Sequence, residues 1–114
     1  MRDDREKLLD VREAIEKIEK YTVRGEQAFK QDELVQTWIV HHLEIMGEAV
    51  RSLSPALRNK YPKVPWAKII GMRNILVHHY FGIDVAAVWS VAQNELPRLR
   101  RDLDAILKDL KATP

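Results

Sequence analysis

Leu8, Val11, Ile15 and Ile18 recur at steps of 3, 4 and 3 among charged residues, so on a helix they form one apolar stripe. The pattern predicts a first helix from about Asp3 to Arg24, with Gly25 as its C-terminal stop. A second helix is predicted from about Asp32 to Leu53. Its apolar set runs from Leu34, Val35, Trp38 and Ile39 through Leu43, Ile45 and Met46 to Ala49, Val50 and Leu53. A helix apolar over that much of its surface touches several neighbours, which places it at the centre of a bundle. Gly47 inside it costs about 1 kcal/mol against alanine in propensity, and a close approach by another helix would account for it.

The stretch from Ser54 to Pro65 breaks the pattern. Ser54 suits the cap of a short turn beginning at Pro55, and Pro62 and Pro65 force a loop. A third long element is predicted from about Trp66 through Tyr80, with Trp66, Ile69, Ile70 and Val77 on its core face. Gly82 breaks it, and Asp84 is a good N-cap for a last helix from about Val85 to Lys111. There Val85, Trp89, Ala92, Leu96, Leu99, Leu103, Ile106 and Leu110 alternate in steps of 4 and 3, a seam suited to antiparallel packing. Pro97 lies inside that seam and predicts a kink. No strand–turn–strand rhythm and no repeat interrupts the helical period. The expected fold is therefore all-α: a single-domain helical bundle over residues 1–114, with four main helices and a short helical turn.

Composition narrows the chemistry. The chain has 114 residues, 46% hydrophobic and 32% charged, which suits one packed domain rather than a disordered chain. It has no cysteine, so disulfides, thiol nucleophiles and thiolate metal sites are excluded. The formal charge is only +2, so any nucleic-acid footprint must be local. The charged start, MRDDREKLLD, lacks the apolar core of a signal peptide, and no apolar run approaches the roughly 20 residues of a membrane span. A soluble, cytoplasmic protein is expected.

The four histidines form two pairs, His41-His42 and His78-His79. Adjacent residues point about 100° apart on a helix, so neither pair clamps a metal from one face. His41 and Glu44 stand three apart, a single histidine–carboxylate pair and a weak metal signal; no metal is expected. His42 lies beside the Trp38–Ile45–Ala49 stripe and reads as a core histidine with one satisfied nitrogen.

The dense spot is GMRNILVHHYFGID, which gathers Arg73, Asn74, His78, His79 and Tyr80. On the helix expected here, Arg73 and Tyr80 share a face, Asn74 and His78 are neighbours, and Arg73 and His78 stand roughly 140° apart. A bland reading is available: an ion-paired arginine, a cross-linking asparagine and a packed tyrosine. The residue set suggests more. Arginine grips phosphate bidentately, and histidine moves protons near neutral pH. Asparagine can orient an imidazole, and tyrosine adds a hydroxyl or a stacking face. Together they suit phosphodiester chemistry without metal.

Arg73-Asn74-Ile75-Leu76-Val77-His78-His79-Tyr80 fits the pattern R, N, three residues, H, any residue, Y. This resembles the signature of the HEPN superfamily (higher eukaryotes and prokaryotes nucleotide-binding), most closely its HepT-like branch. The flanking LEIMGEAVRSLS, VPWAKIIGMRN and FGID agree, over about Gln31 to Trp89. The resemblance implies a helical bundle that dimerises, with two copies of the motif meeting in a cleft. It implies a metal-independent ribonuclease that needs no cofactor and acts as the toxin of a two-gene pair. Its partner would be a minimal, MntA-like nucleotidyltransferase antitoxin that attaches AMP to the motif tyrosine. Carried onto this chain, Arg73 and His78 are the catalytic pair, Asn74 supports them and Tyr80 is the AMP acceptor. His79 fills the variable position, and Glu48 lies in matching context without an assigned role. The alternative, from a different class, is a non-catalytic helical dimer that binds a nucleotidyltransferase partner or a nucleotide.

Overall fold

The computed structural model describes residues 3–78 and 82–112, without the side chains at 73, 75, 77, 78 and 112. The chain opens with α1, Asp4–Thr22, where the Asp3 carboxylate accepts from the Glu6 amide at 2.9 Å and caps the first turn. The expected stripe is its buried face, with Ala14 added. Gly25, at φ 95°, turns the chain into a short helix, α2, Glu26–Lys30. This element was not anticipated. Five residues carry no period, and α2 is held instead by buried Phe29 and by Gln36, whose Nε2 donates to the Phe29 carbonyl at 2.9 Å.

Next comes α3, Glu33–Arg51, capped by Asp32, which accepts from the Leu34 and Val35 amides. It is the central helix, as its apolar breadth predicts, and packs on α1 and on α5, Trp66–Leu76. Between them lies α4, Pro55–Lys60, with the Ser54 hydroxyl accepting from the Leu57 amide at 3.2 Å. Trp66 closes the following loop, its indole N–H donating to the Arg58 and Tyr61 carbonyls.

Two expectations change after α5. The third helix does not run on through Tyr80 but stops at Leu76. A two-residue strand, β1 (Val77–His78), pairs antiparallel with β2 (Gly82–Ile83) in the register Val77↔Ile83 and His78↔Gly82. The Leu76 carbonyl accepts from the Asp84 amide at 2.8 Å, and Gly82, at φ 75°, supplies the left-handed backbone that returns the chain.

The last helix is also not uniform. It begins as α6, Val85–Ser90, capped by Asp84, passes through a π-helical turn at Val91–Glu95, and continues as α7, Leu96–Ala112. Pro97 has no N–H, and its ring opposes the carbonyl of Gln93, four residues back. The wider turn absorbs that conflict just ahead of the proline, and the Leu96 amide reaches back to Val91. The buried seam of α7 includes Leu96, Leu99, Leu103 and Ile106, and Arg100 ties it to α1 through Glu19 at 2.9 Å. The architecture is an all-α bundle with one core, trimmed by a minimal hairpin.

Candidate functional site

The site is built at the end of α5. That helix lies directly on α3: a Cβ placed on Gly47 would come within 3.4 Å of the Ile70 carbonyl and 3.5 Å of that of Ile69. This is the close approach that glycine at position 47 predicts. Met72 and Leu76, on either side of the Arg73–Asn74 pair, are buried and anchor the last turns of α5 in the core. Asn74 is exposed there. Lys68, on the preceding turns, reaches the π-helical segment, its ammonium 2.6 Å from Glu95.

The backbone at Arg73 lies in the last turn of α5 and the backbone at His78 lies in β1. The side chains of Arg73 and His78 lie outside the described residues, as do His79 and Tyr80 altogether. The helical spacings are nevertheless corrected by the backbone. Val77 and His78 are extended, so the pairing of Asn74 with His78, the 140° between Arg73 and His78, and the face shared by Arg73 and Tyr80 no longer follow. A helix-to-hairpin junction replaces the straight helix. It leaves Arg73 and Asn74 in the last turn of α5 and puts the His78 backbone in a strand paired with Gly82, next to the bond from the Asp84 amide to the Leu76 carbonyl. Asp84 was legible as a cap. Its amide as the bond that ends α5 was not, because nothing local to Leu76 signals it.

The other histidine pair stands elsewhere. His42 is 4% exposed, and its Nδ1 lies 2.8 Å from the Trp38 carbonyl. A carbonyl only accepts, so Nδ1 carries the proton, and the ring rests against Trp38 with centroids 4.3 Å apart. This is the core histidine expected from its position. His41 is exposed on the next face of α3, and Glu48, also exposed, stands 3.6 Å from Arg51. Among the described residues no three His, Asp or Glu side chains gather as metal ligands, and no helix is long and apolar enough to cross a membrane.

Fold and site together define a class: a helical bundle presenting an Arg-Asn-x-x-x-His sequence where a helix gives way to a hairpin. Residues 11–106 match the family described as Ribonuclease HepT-like, and the chain belongs to that family. It is 34% identical over 111 residues to the candidate RNase MJ1216 of Methanocaldococcus jannaschii, covering 96% of this chain and 92% of the relative. It is 33% identical over 110 residues to a Thermococcus cleftensis protein named "Probable ribonuclease HepT", covering 94% and 98%. A third relative, the candidate RNase TTE0752 of Caldanaerobacter subterraneus subsp. tengcongensis, is 40% identical over 83 residues, 73% of this chain and 74% of that one. No solved structure gives a significant match. Family and relatives support ribonuclease activity.

Proposed function

We propose that this chain, working as one domain over residues 1–114, is the toxin of a cytoplasmic toxin–antitoxin pair and cuts RNA without a metal ion. The observation that carries the reading is the Arg73–His78 motif at the helix-to-hairpin junction of a HepT-like chain, with Asn74 beside it in the open. The nucleophile is the ribose 2′-hydroxyl. Its oxygen bonds to phosphorus while the bond from phosphorus to the 5′-oxygen breaks, leaving a cyclic 2′,3′-phosphate and a 5′-hydroxyl. His78 of one copy takes the 2′-hydroxyl proton, and His78 of a second copy returns a proton to the leaving oxygen. Arg73 stabilises the charge that develops on the phosphoryl oxygens, and Asn74 supports the pair. A homodimer thus supplies acid and base from one motif.

Tyr80 is the regulatory residue in this reading. In a partner nucleotidyltransferase, its hydroxyl oxygen attacks the α-phosphorus of ATP, pyrophosphate leaves and the proton passes to solvent. The new phosphodiester carries one negative charge and occupies the place of the RNA phosphate beside Arg73. Purified protein is expected to cut single-stranded RNA in EDTA and to leave DNA of the same sequence intact, since DNA lacks the nucleophile. Activity lost in EDTA and restored by magnesium, or equal cutting of DNA, would overturn the mechanism.

A further inference from the structure

A groove runs along α7 on the side that faces α5. Its wider part, an open hollow of about 480 Å³, lies between residues 60–64 and Asp102, Ile106 and Asp109 of α7. A tighter hollow of about 80 Å³ continues it, with Pro65, Lys68 and Met72 on one side and Glu95, Leu96 and Leu99 on the other. Asp102 lines both, so the groove follows α7 from Asp109 to Glu95, roughly 21 Å at 1.5 Å per residue. The floor is apolar, with Val64, Ile69, Leu99 and Ile106 buried. Met72 at the inner end immediately precedes Arg73.

A formal charge of +2 requires any nucleic-acid footprint to be local, and cations gather on this rim. Lys60, Lys63 and Arg98 line the groove and are exposed. By helical spacing, exposed Arg101 and Lys108 stand on the next stripe of α7 outward. None of these cations has an ion pair among the described residues. Lys68 is spent on Glu95 at 2.6 Å, and Arg100 turns away to Glu16 and Glu19 on α1. Against these cations stand the carboxylates of Asp102 and Asp109. Asp109 accepts from the Tyr61 hydroxyl at 2.6 Å, which holds the half-buried ring beside the groove. Asp102 has no ion pair among the described residues and offers an acceptor for a ribose hydroxyl or a base amino group. The Lys60 ammonium lies 5.6 Å from the centre of the Tyr61 ring, so a cation and a stacking face stand side by side.

We propose that this groove holds a stretch of single-stranded RNA outside the cleavage site. Tyr61 stacks a base, Lys60 and Lys63 take the phosphates beside it, and the strand continues past Lys68 and Met72 toward the turn that carries Arg73. The proposal rests on the ribonuclease reading above and adds to it the form of the substrate. A duplex keeps its base faces stacked inside, whereas an unpaired strand offers them to a ring. Every base has such a face, so the groove selects single strands without selecting a sequence. An apolar floor also suits a protein segment, but the cations on the rim outnumber the carboxylates, and that excess favours a polyanion.

Full-length variants are compared in two assays. Binding of a fluorescein-labelled single-stranded RNA is read by anisotropy in a His78→Ala background, which leaves the strand whole. Cleavage of the same RNA and of a dinucleotide is measured with His78 in place. Tyr61→Ala is expected to weaken binding and raise the KM for the long strand roughly 5- to 150-fold, the worth of one stacked base. Dinucleotide cleavage is expected to stay unchanged, because a dinucleotide in the cleavage site does not reach the groove. Lys60→Ala combined with Lys63→Ala is expected to lower the slope of log affinity against log salt by roughly 1.4, at about 0.7 per phosphate on a single strand. Tyr61→Phe, which keeps the ring, and Lys20→Ala, outside the groove, are expected to bind as the background does. Circular dichroism checks the fold, and the lysine variant changes only exposed side chains, so it decides the matter where Tyr61→Ala unfolds. Unchanged binding in the lysine variant or in folded Tyr61→Ala overturns the proposal and leaves the groove to a protein. An equal loss in Lys20→Ala overturns it as well, since charge anywhere would then serve. The two readings fail separately: RNA held through Tyr61 that the wild type never cuts sinks the nuclease, and cutting with a KM unmoved by Tyr61→Ala sinks the groove. Neither binding nor cutting sinks both.

Discussion

The amide of Asp84 donates to the carbonyl of Leu76 at 2.8 Å, and this bond lies next to the strand pair that holds the His78 backbone. The same residue's carboxylate accepts from the Ala87 amide at 3.1 Å and caps α6. Asp84→Ala keeps the first bond and loses the second. It is expected to cost about 1 kcal/mol, the usual worth of an N-cap, read as a lower urea midpoint at unchanged slope. A variant as stable as wild type would show that the cap does not hold α6.

Gly47 tests the seat of α5. In Gly47→Ala the new methyl meets the Ile70 carbonyl at 3.4 Å, an ordinary contact, and the helix gains up to about 1 kcal/mol in propensity. Stability is expected to hold or rise slightly. Gly47→Leu has no room and is expected to lose about 1–3 kcal/mol by overpacking. Equal unfolding midpoints for the two variants would mean that α5 does not lie this close.

His78→Ala is expected to lower RNA cleavage by about 10²- to 10⁴-fold while leaving the circular dichroism spectrum unchanged, as loss of a general acid–base does. Cleavage at the wild-type rate would make His78 structural and favour the non-catalytic binding reading.

Asp4 gives a pH signature. Burial raises its carboxyl pKa, but the Ser54 hydroxyl at 2.6 Å, the Ser54 amide at 3.0 Å and nearby Lys7 outweigh this and bring it below the usual 3.8. A carboxylate lowered in the folded state adds stability above its unfolded pKa, and that stability is lost as pH falls through the folded value. Wild type is expected to exceed Asp4→Asn in stability at neutral pH, with the gap closing below pH 3.8. A gap independent of pH would assign the effect to packing.

Tyr80→Phe is expected to gain no AMP mass from ATP and the partner enzyme, and to keep cutting RNA in their presence. Intact-mass measurement with a cleavage assay reads both. A Phe variant that still gains the mass and still loses activity places the acceptor elsewhere.

Sequence alone determined α1, α3, most of α7 and the caps Ser54 and Asp84, because apolar period and capping act within a few residues. It also singled out the motif, its family and the buried His42. It did not carry α2, whose five residues have no period and depend on Gln36 from the next helix. Nor did it carry the end of α5, where an amide eight residues away claims the Leu76 carbonyl and the motif leaves the helix. The surface of α3 divides in the same way. Leu34 and Leu43 count equally as apolar positions, yet Leu43 is 2% exposed and Leu34 83%. Only the packing of α1 and α5 around α3 decides which side is core and which is left open. Residues distant in the chain set that choice, and a local pattern cannot encode it.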